Sequence, residues 1–478
     1  MRSGRRARGL GKADATISFG GRLGGEQVVA LERDRRRCVR RPNDRLRRAK
    51  IVCVSAGRER QAEVYLSGAT GRRTRIPFDA ARLEERAQTV MSAEAFAYVA
   101  GGAGAEETMR ANRRAFERVS IVPRTLRDVS RRDSSLELFG RRLPGPFLLA
   151  PIGVLELAHR DADVAAARAA ASLGLPAIFS SQASRPMEEV AAAMGEAPRW
   201  FQLYWSTVDE LVESFVARAE RCGCEAIVIT LDTTLLGWRA RDLELGYLPF
   251  LRGRGLAQYT SDPVFQRLVR ERGRTASAEG PTLAALLTLL ELRRNVRGLD
   301  PRAAVQTFTE IYSRSSLRWD DLVSIRDLTR LPIILKGILH PDDARRAVEA
   351  GFDGIVVSNH GGRQLDGAIA TLHALPAIVE EVAGRVPVLL DSGIRTGGDA
   401  LKALAFGATA VLVGRPYVYG LAVGGEAGAR EVLQNLLAEF DLALGLSGCA
   451  SLADVRNMKL TIPERSNPAT TSYSDEGR

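Results

Sequence analysis

Cysteine is scarce: five occur in 478 residues (Cys38, Cys53, Cys222, Cys224 and Cys449), an odd set with no C-x-x-C pair. That excludes a disulfide scaffold and a thiolate zinc site, and the four histidines stand singly, without metal-ligand spacing. A reducing, cytoplasmic setting without metal is expected. Long apolar runs are also missing. The stretch from Thr282 to Leu290 has about half of the ~20 residues that a membrane-spanning helix needs, so no membrane partner is expected. What is present is ordinary globular composition, 45% hydrophobic and 26% charged, enough for one large domain or two of medium size.

Acidic residues are short at one end only. The net charge is +11, yet residues 1–60 hold 18 Lys and Arg against 6 Asp and Glu, a surplus of 12 that leaves the other 418 residues at −1. The body is therefore close to neutral, which removes the usual ground for expecting nucleic acid. Residues 1–58 include Arg2, Arg5, Arg6, Arg8, Arg33, Arg35, Arg36, Arg37, Arg40 and Arg41 without a periodic apolar face. They read as a solvated, disordered tail or as sequence ahead of a start near Arg58. Their acids are too many for a transit peptide.

From residue 147 onward, continuous apolar runs alternate with helical patterns, as in strands covered on both faces. There are eight: Phe147–Gly153, Ala177–Ser181, Trp200–Tyr204, Ala226–Asp232, Ile333–Gly337, Gly354–Asn359, Val388–Gly393 and Ala410–Gly414. Helices are expected between them, for example over Asp161–Leu173, Val208–Cys222, Pro341–Ala350 and Gly398–Phe406. The fold class is α/β, a (β/α)₈ TIM barrel over 147–460, with a helical extension (59–146) at its bottom or flank and a tail from 461. About 100 residues separate the fourth and fifth runs. This insertion, at about 240–315, is placed to act as a lid, and its Gly253, Gly255, Gly273, Gly280 and arginines suggest mobility; Pro263–Arg270 and Pro281–Asn295 suit helices.

Polar residues at the ends of these runs belong at the barrel mouth: Gln202 and Tyr204, Thr230 and Asp232, Lys336, His360 and Arg363, Asp391 and Arg395, and Arg415. Unpaired charges there are costly unless a ligand compensates them. Asp391-Ser-Gly-Ile-Arg395 and Gly414-Arg415, with Gly397 and Gly398 opening a helix, describe a phosphate cradle. Ser358-Asn-His-Gly-Gly-Arg363 offers a base, His360, and an anion anchor, Arg363, in one loop. His159, His340 and His373 read as surface or capping residues.

Together with Tyr98 in Ala97-Tyr-Val-Ala-Gly-Gly-Ala103, Ala150-Pro-Ile-Gly153, Phe201-Gln-Leu-Tyr204, Thr230-Leu-Asp232, Leu335-Lys-Gly337, Gln364 and Gly414-Arg-Pro416, these strings in this order resemble the FMN-dependent L-2-hydroxy acid oxidases and dehydrogenases over residues 60–460. Ile229-Thr-Leu-Asp-Thr233, Gly237-Trp-Arg239, Pro249-Phe-Leu-Arg-Gly253 and Asp262-Pro-Val-Phe-Gln266 look most like the lactate 2-monooxygenase branch. The resemblance implies an FMN whose phosphate lies on Arg395, Gly414 and Arg415 and whose ribityl chain lies near Asp391, within the Asp391, Ser392, Gly393, Ile394 turn. The ring would rest on Pro151, Ile152 and Gly153, with Ser180, Gln202, Thr230, Lys336 and Ser358 at its polar edge. Lys336 would stabilise charge developing on the ring. It further implies substrate carboxylate binding by Arg363, Arg239 and Tyr98, Tyr204 on the hydroxyl oxygen, His360 as base and Asp232 as its partner. A homo-oligomer, tetramer or octamer, is implied as well.

The same resemblance leaves two outcomes: L-lactate and O₂ give acetate, CO₂ and water, or the 2-oxo acid is released, with peroxide in an oxidase. Gly153, where related oxidases commonly carry Ala, and the long insertion fit the first; Gln364-Leu-Asp366 follows the oxidase pattern. Gln182 stands where glycolate oxidases have Trp. An FMN barrel with isomerase or synthase chemistry is disfavoured by the Arg239 and Arg363 pair. A nucleic-acid binder acting through the Arg-rich start is the remaining alternative.

Overall fold

The computed structural model describes residues 56–273 and 283–462. Eight parallel strands close into a barrel: β1 (Phe147–Leu149), β2 (Ala177–Phe179), β3 (Arg199–Leu203), β4 (Ile227–Thr230), β5 (Ile333–Ile338), β6 (Gly354–Val357), β7 (Val388–Leu390) and β8 (Ala410–Val413). β8 returns to β1 with Val411 opposite Phe147 and Val413 opposite Leu149. The fold is a (β/α)₈ barrel. Successive strand residues point alternately outward and inward. Phe201, Ile229, Leu335, Ile355 and Leu390 pack under the helices, while Trp200, Val228, Ile334, Val356 and Leu389 fill the interior. Both faces are buried, which is why the runs are continuously apolar. Except for β5, the strands stop before the apolar runs do, and the residues left over become the mouth.

A hairpin of Leu136–Leu138 and Arg141–Leu143 closes the amino end: Leu138 and Leu143 join the interior cluster, and Phe139 meets Trp200 edge-on at 5.6 Å. At the opposite end lies the helix Ala93–Ala100, started by Ser92 Oγ accepting from Ala95 N–H at 3.2 Å. The segment 60–146 thus reaches both ends of the barrel, beyond the bottom or flank expected of it. Part of it is strand, and the pleat turns Leu136, Leu138 and Leu143 to one face, toward the small open end.

Two boundaries also move. A helix spans Ala56–Ala69, and Gly57 N–H donates to buried Asp441 at 3.1 Å, so ordered structure starts ahead of residue 58. Leu460–Thr461 pair with Ser120–Ile121 across the expected start of the tail. The rest of both tails lies outside the described residues.

The insertion between β4 and β5 is mostly helical. Asp262 and Asp300 cap the helices Pro263–Arg272 and Pro301–Ile311, each with proline in its first turn, where the missing N–H is harmless. A further helix covers Leu283–Asn295; residues 274–282 lie outside the described residues. Charged residues of the insertion are anchors here: Arg254 pairs with Glu291 at 2.7 Å, and Asp262 pairs at 3.1 Å with buried Arg218 of the helix before β4.

Candidate active site

At the mouth, β6 ends in a turn that points an imidazole inward. His360, Gly361 and Gly362 take φ of 56°, 68° and 75° in succession, and a Cβ on Gly362 would lie 2.7 Å from the backbone of Met109. A non-glycine residue in this region is held there at a cost. The result is His360 Nδ1 2.7 Å from Asp232 Oδ1, with Thr233 Oγ1 2.9 Å from the same oxygen and 3.1 Å from Nδ1. Gly337 keeps this approach open, since a Cβ there would be 2.8 Å from Asp232 Cβ.

Lys336, buried on β5, donates to Ser358 Oγ at 2.9 Å and lies 3.4 Å from Asp391 and 3.7 Å from Asp232. Burial alone would raise the Asp232 pKa; the charges of Lys336 and His360 and the hydrogen bonds from His360 and Thr233 outweigh it and hold the carboxyl well below the usual range. Burial would lower Lys336, yet Asp232 and Asp391 keep it well above the ordinary lysine value. For His360 burial prevails: with help from Lys336 it lowers the imidazole despite Asp232. Burial likewise raises the Tyr204 phenol, which stays protonated.

Two guanidinium pairs flank this centre. Arg363 and Arg239 stand 5.0 and 5.8 Å from the ring centre of Tyr98, and Arg363 donates to the carbonyls of Tyr98 (2.5 Å) and Gly101 (2.8 Å). Burial first, and Arg239 second, push Arg363 down to about 9. At the other end, burial and then Arg415 push Arg395 down to about 10. Neither guanidinium has a carboxylate in hydrogen-bond contact among the described residues; that of Arg395 donates to Ile394 O at 3.1 Å, and Arg415 reaches Val99 O, Gly361 O and Gly101 O at 2.8–3.0 Å. Both ends are prepared for anions.

One cavity of about 280 Å³ gathers Tyr98, Pro151, Ile152, Gly153, Tyr204, Arg239, Lys336, His360, Arg363, Asp391, Ser392, Gly393, Ile394, Arg395, Gly414 and Arg415. Ser180, Gln202, Thr230, Asp232 and Ser358 do not line it. They are buried or nearly so behind it, where Gln202 Oε1 accepts from Ser181 N–H at 3.2 Å. Thr233, and the wall of Leu236, Leu248, Phe250, Phe308 and Tyr312, were absent from the sequence reading as site residues. The wall has no signal of its own: Leu236 and Leu248 are loop residues, and Phe308 and Tyr312 have the spacing of any packing helix.

The donor set suits FMN. Gln202 Nε2 and Thr230 Oγ1 are buried with no hydrogen-bond partner among the described residues, which asks for a polar ligand edge at the strand ends. Half-buried Arg395 beside buried Arg415 asks for a dianion, and a Cβ at Gly414 would extend toward Ile152 Cδ1 at 3.5 Å, narrowing the space beneath it. Among the described residues no cluster could hold a metal ion, and no helix is long and apolar enough to cross a membrane.

Comparison with known proteins agrees. The FMN-dependent dehydrogenase family profile matches residues 87–462. An L-lactate oxidase of Lysinibacillus sphaericus is 43% identical over 385 residues, covering 80% of this chain and 93% of that protein. A 4-hydroxymandelate oxidase of Amycolatopsis orientalis is 40% identical over 378 residues, 79% of this chain and 96% of the other. The crystal structure of mandelate oxidase superposes with a TM-score of 0.67 at 38% identity, over 81% of this chain and 99% of the other. The chain belongs to the FMN-dependent 2-hydroxy acid oxidases and dehydrogenases, and is an oxidoreductase that depends on FMN.

Proposed function

We propose that the chain oxidises L-2-hydroxy acids with His360 as base, and that with L-lactate and O₂ it yields acetate, CO₂ and water. The observation that carries this reading is the 2.7 Å His360–Asp232 contact in one mouth with the Arg239 and Arg363 pair. Bound FMN supplies the electron acceptor for the substrate's α-carbon. Its phosphate would be held by Arg395, Arg415 and the backbone from Ser392 to Ile394 and at Gly414, and its ribityl chain by Asp391. Its ring would lie on Pro151, Ile152 and Gly153, with Ser180, Gln202, Thr230 and Lys336 at the polar edge and Ser358 steadying Lys336.

Arg363 and Arg239 would grip the substrate carboxylate beside Tyr98, and Tyr204 would donate to the C2 oxygen. With Nδ1 committed to Asp232, Nε2 of His360 is left to take the hydroxyl proton. The lowered imidazole pKa keeps that nitrogen free at neutral pH, and ionised Asp232 stabilises the imidazolium once formed. The aromatic wall would exclude bulk water.

Gly153 and the enclosing wall support retention of the 2-oxo acid and its decarboxylation by the peroxide formed beside it. Gln364-Leu-Asp366 and the oxidase relatives favour a second reading, release of 2-oxo acid and peroxide. Aerobic turnover of L-lactate with quantified products tests this: acetate without peroxide is expected, and pyruvate with equimolar peroxide would replace the first reading by the second. A cytoplasmic homo-oligomer belongs to the same proposal; sedimentation velocity measures its assembly.

A further inference from the structure

Gln182, just after β2, lines the cavity while only 8% exposed. Its backbone is committed: the N–H donates to Ser180 Oγ at 3.1 Å, and the carbonyl accepts from Val154 N–H at 2.9 Å. Its carboxamide has no hydrogen-bond partner among the described residues. Gly153 faces it. A Cβ at 153 would lie 3.0 Å from Gln182 Cβ and from its carbonyl oxygen, and 3.5 Å from Oε1, so glycine there lets Gln182 pack against this strand end without crowding. On the far side, across Gly255, the wall continues as Phe250.

A carboxamide set among apolar groups is costly to leave unpaired once a ligand displaces its water. A methyl group leaves room for that water, whereas a longer hydrocarbon side chain does not. We propose that Gln182 is a specificity-determining residue. It selects 2-hydroxy acids whose side chain carries a neutral hydrogen-bonding group, a hydroxyl or carboxamide, over hydrocarbon side chains of the same size. A carboxamide offers both a donor and an acceptor and no charge, which matches such groups. This rests on the proposed oxidation of 2-hydroxy acids in the same cavity and deepens it.

The test uses the FMN-loaded enzyme and shape-matched pairs: L-glycerate against L-2-hydroxybutanoate, and (S)-4-hydroxymandelate against (S)-4-methylmandelate. Wild type and Gln182→Met are compared in kcat/KM, and the corresponding 2-oxo acids are compared in Kd by calorimetry. In wild type the hydroxyl member of at least one pair is favoured by about tenfold or more in both measures, since a site built to bond a hydroxyl rejects the analogue lacking it. In Gln182→Met that ratio falls to about one. Gln182→Leu serves if the first variant loses FMN. Ratios near one in wild type for both pairs, or a preference that survives both substitutions, would overturn the proposal. If no 2-hydroxy acid, lactate included, discharges the flavin colour, the parent reading fails and takes this one with it; selective failure of the ratios leaves the parent standing.

Discussion

The two guanidinium pairs sit at opposite ends of one cavity and are built differently. At the β7–β8 end Arg415 places all three of its nitrogens on carbonyls, Val99, Gly361 and Gly101, while the Arg395 guanidinium has Ile394 O as its one partner among the described residues. At the other end Arg363 holds Tyr98 O and Gly101 O, and Arg239 makes only long contacts, 3.2 Å to Gln364 Oε1 and 3.4 Å to Arg363 O. One member of each pair is thus also a strut, and the other has few protein partners of its own. Both struts converge on Gly101 O, at the carboxyl end of the helix Ala93–Ala100, where the dipole and the orphan carbonyls favour cations. The difference teaches that the helix before the barrel assembles both anion sites, and that a strut, when lost, should disturb structure as well as binding.

The largest break is Arg363→Met, which removes a strut and the proposed carboxylate anchor together. Loss of a buried, hydrogen-bonded charge typically costs about 2–5 kcal/mol, so kcat/KM should fall roughly 30- to 5000-fold, with a smaller fall, mainly in KM, for Arg239→Met. Steady-state kinetics on both variants check the ranking; equal losses would erase the distinction between strut and partner at that end.

Next, Arg395→Met should weaken FMN binding by about 10- to 100-fold with little change in the melting temperature of the apoprotein, as expected for one lost charge-assisted contact of about 1.5–3 kcal/mol. Arg415→Met should weaken FMN and also lower the apoprotein melting temperature, because three carbonyls lose their donor. Fluorescence titration and differential scanning fluorimetry separate the two; an unaffected melting temperature in Arg415→Met would contradict its role as a strut.

The smallest effect is in pH. As the proposed base His360 would work as neutral imidazole, and burial lowers its pKa, so kcat/KM should hold as pH falls through 6.5 and decline only below it. Asp232 opposes that lowering. Asp232→Asn should therefore reduce the rate and move the acid limb lower still. An upward shift of the limb would mean that Asp232 does not face the proton-accepting group.

The barrel was legible because its strands are buried on both faces, so that Ile227–Thr230 or Gly354–Val357 needs no polar alternation. His360, Arg363, Lys336 and Arg395 were legible because strand ends in this architecture face one mouth, and family strings named their neighbours. Thr233 was hidden by adjacency: next to Asp232 it reads as an ordinary loop residue until the turn folds its hydroxyl onto the Asp232–His360 contact. Phe250 was hidden by distance, and Phe308 and Tyr312 also by helical spacing that fits any core. The position of Tyr98 to Gly101 over the mouth is a matter of tertiary packing, since nothing local in Ala93–Ala100 says which end of a barrel it will meet.

The most direct test is an anaerobic titration of the FMN-loaded protein with L-lactate, followed in the flavin absorbance of wild type and His360→Ala. Loss of the yellow colour in wild type, with FMN retained but the colour persisting in His360→Ala, is the predicted result. Equal bleaching of the two proteins, or none in wild type, would contradict the assignment of His360 as the base of this site.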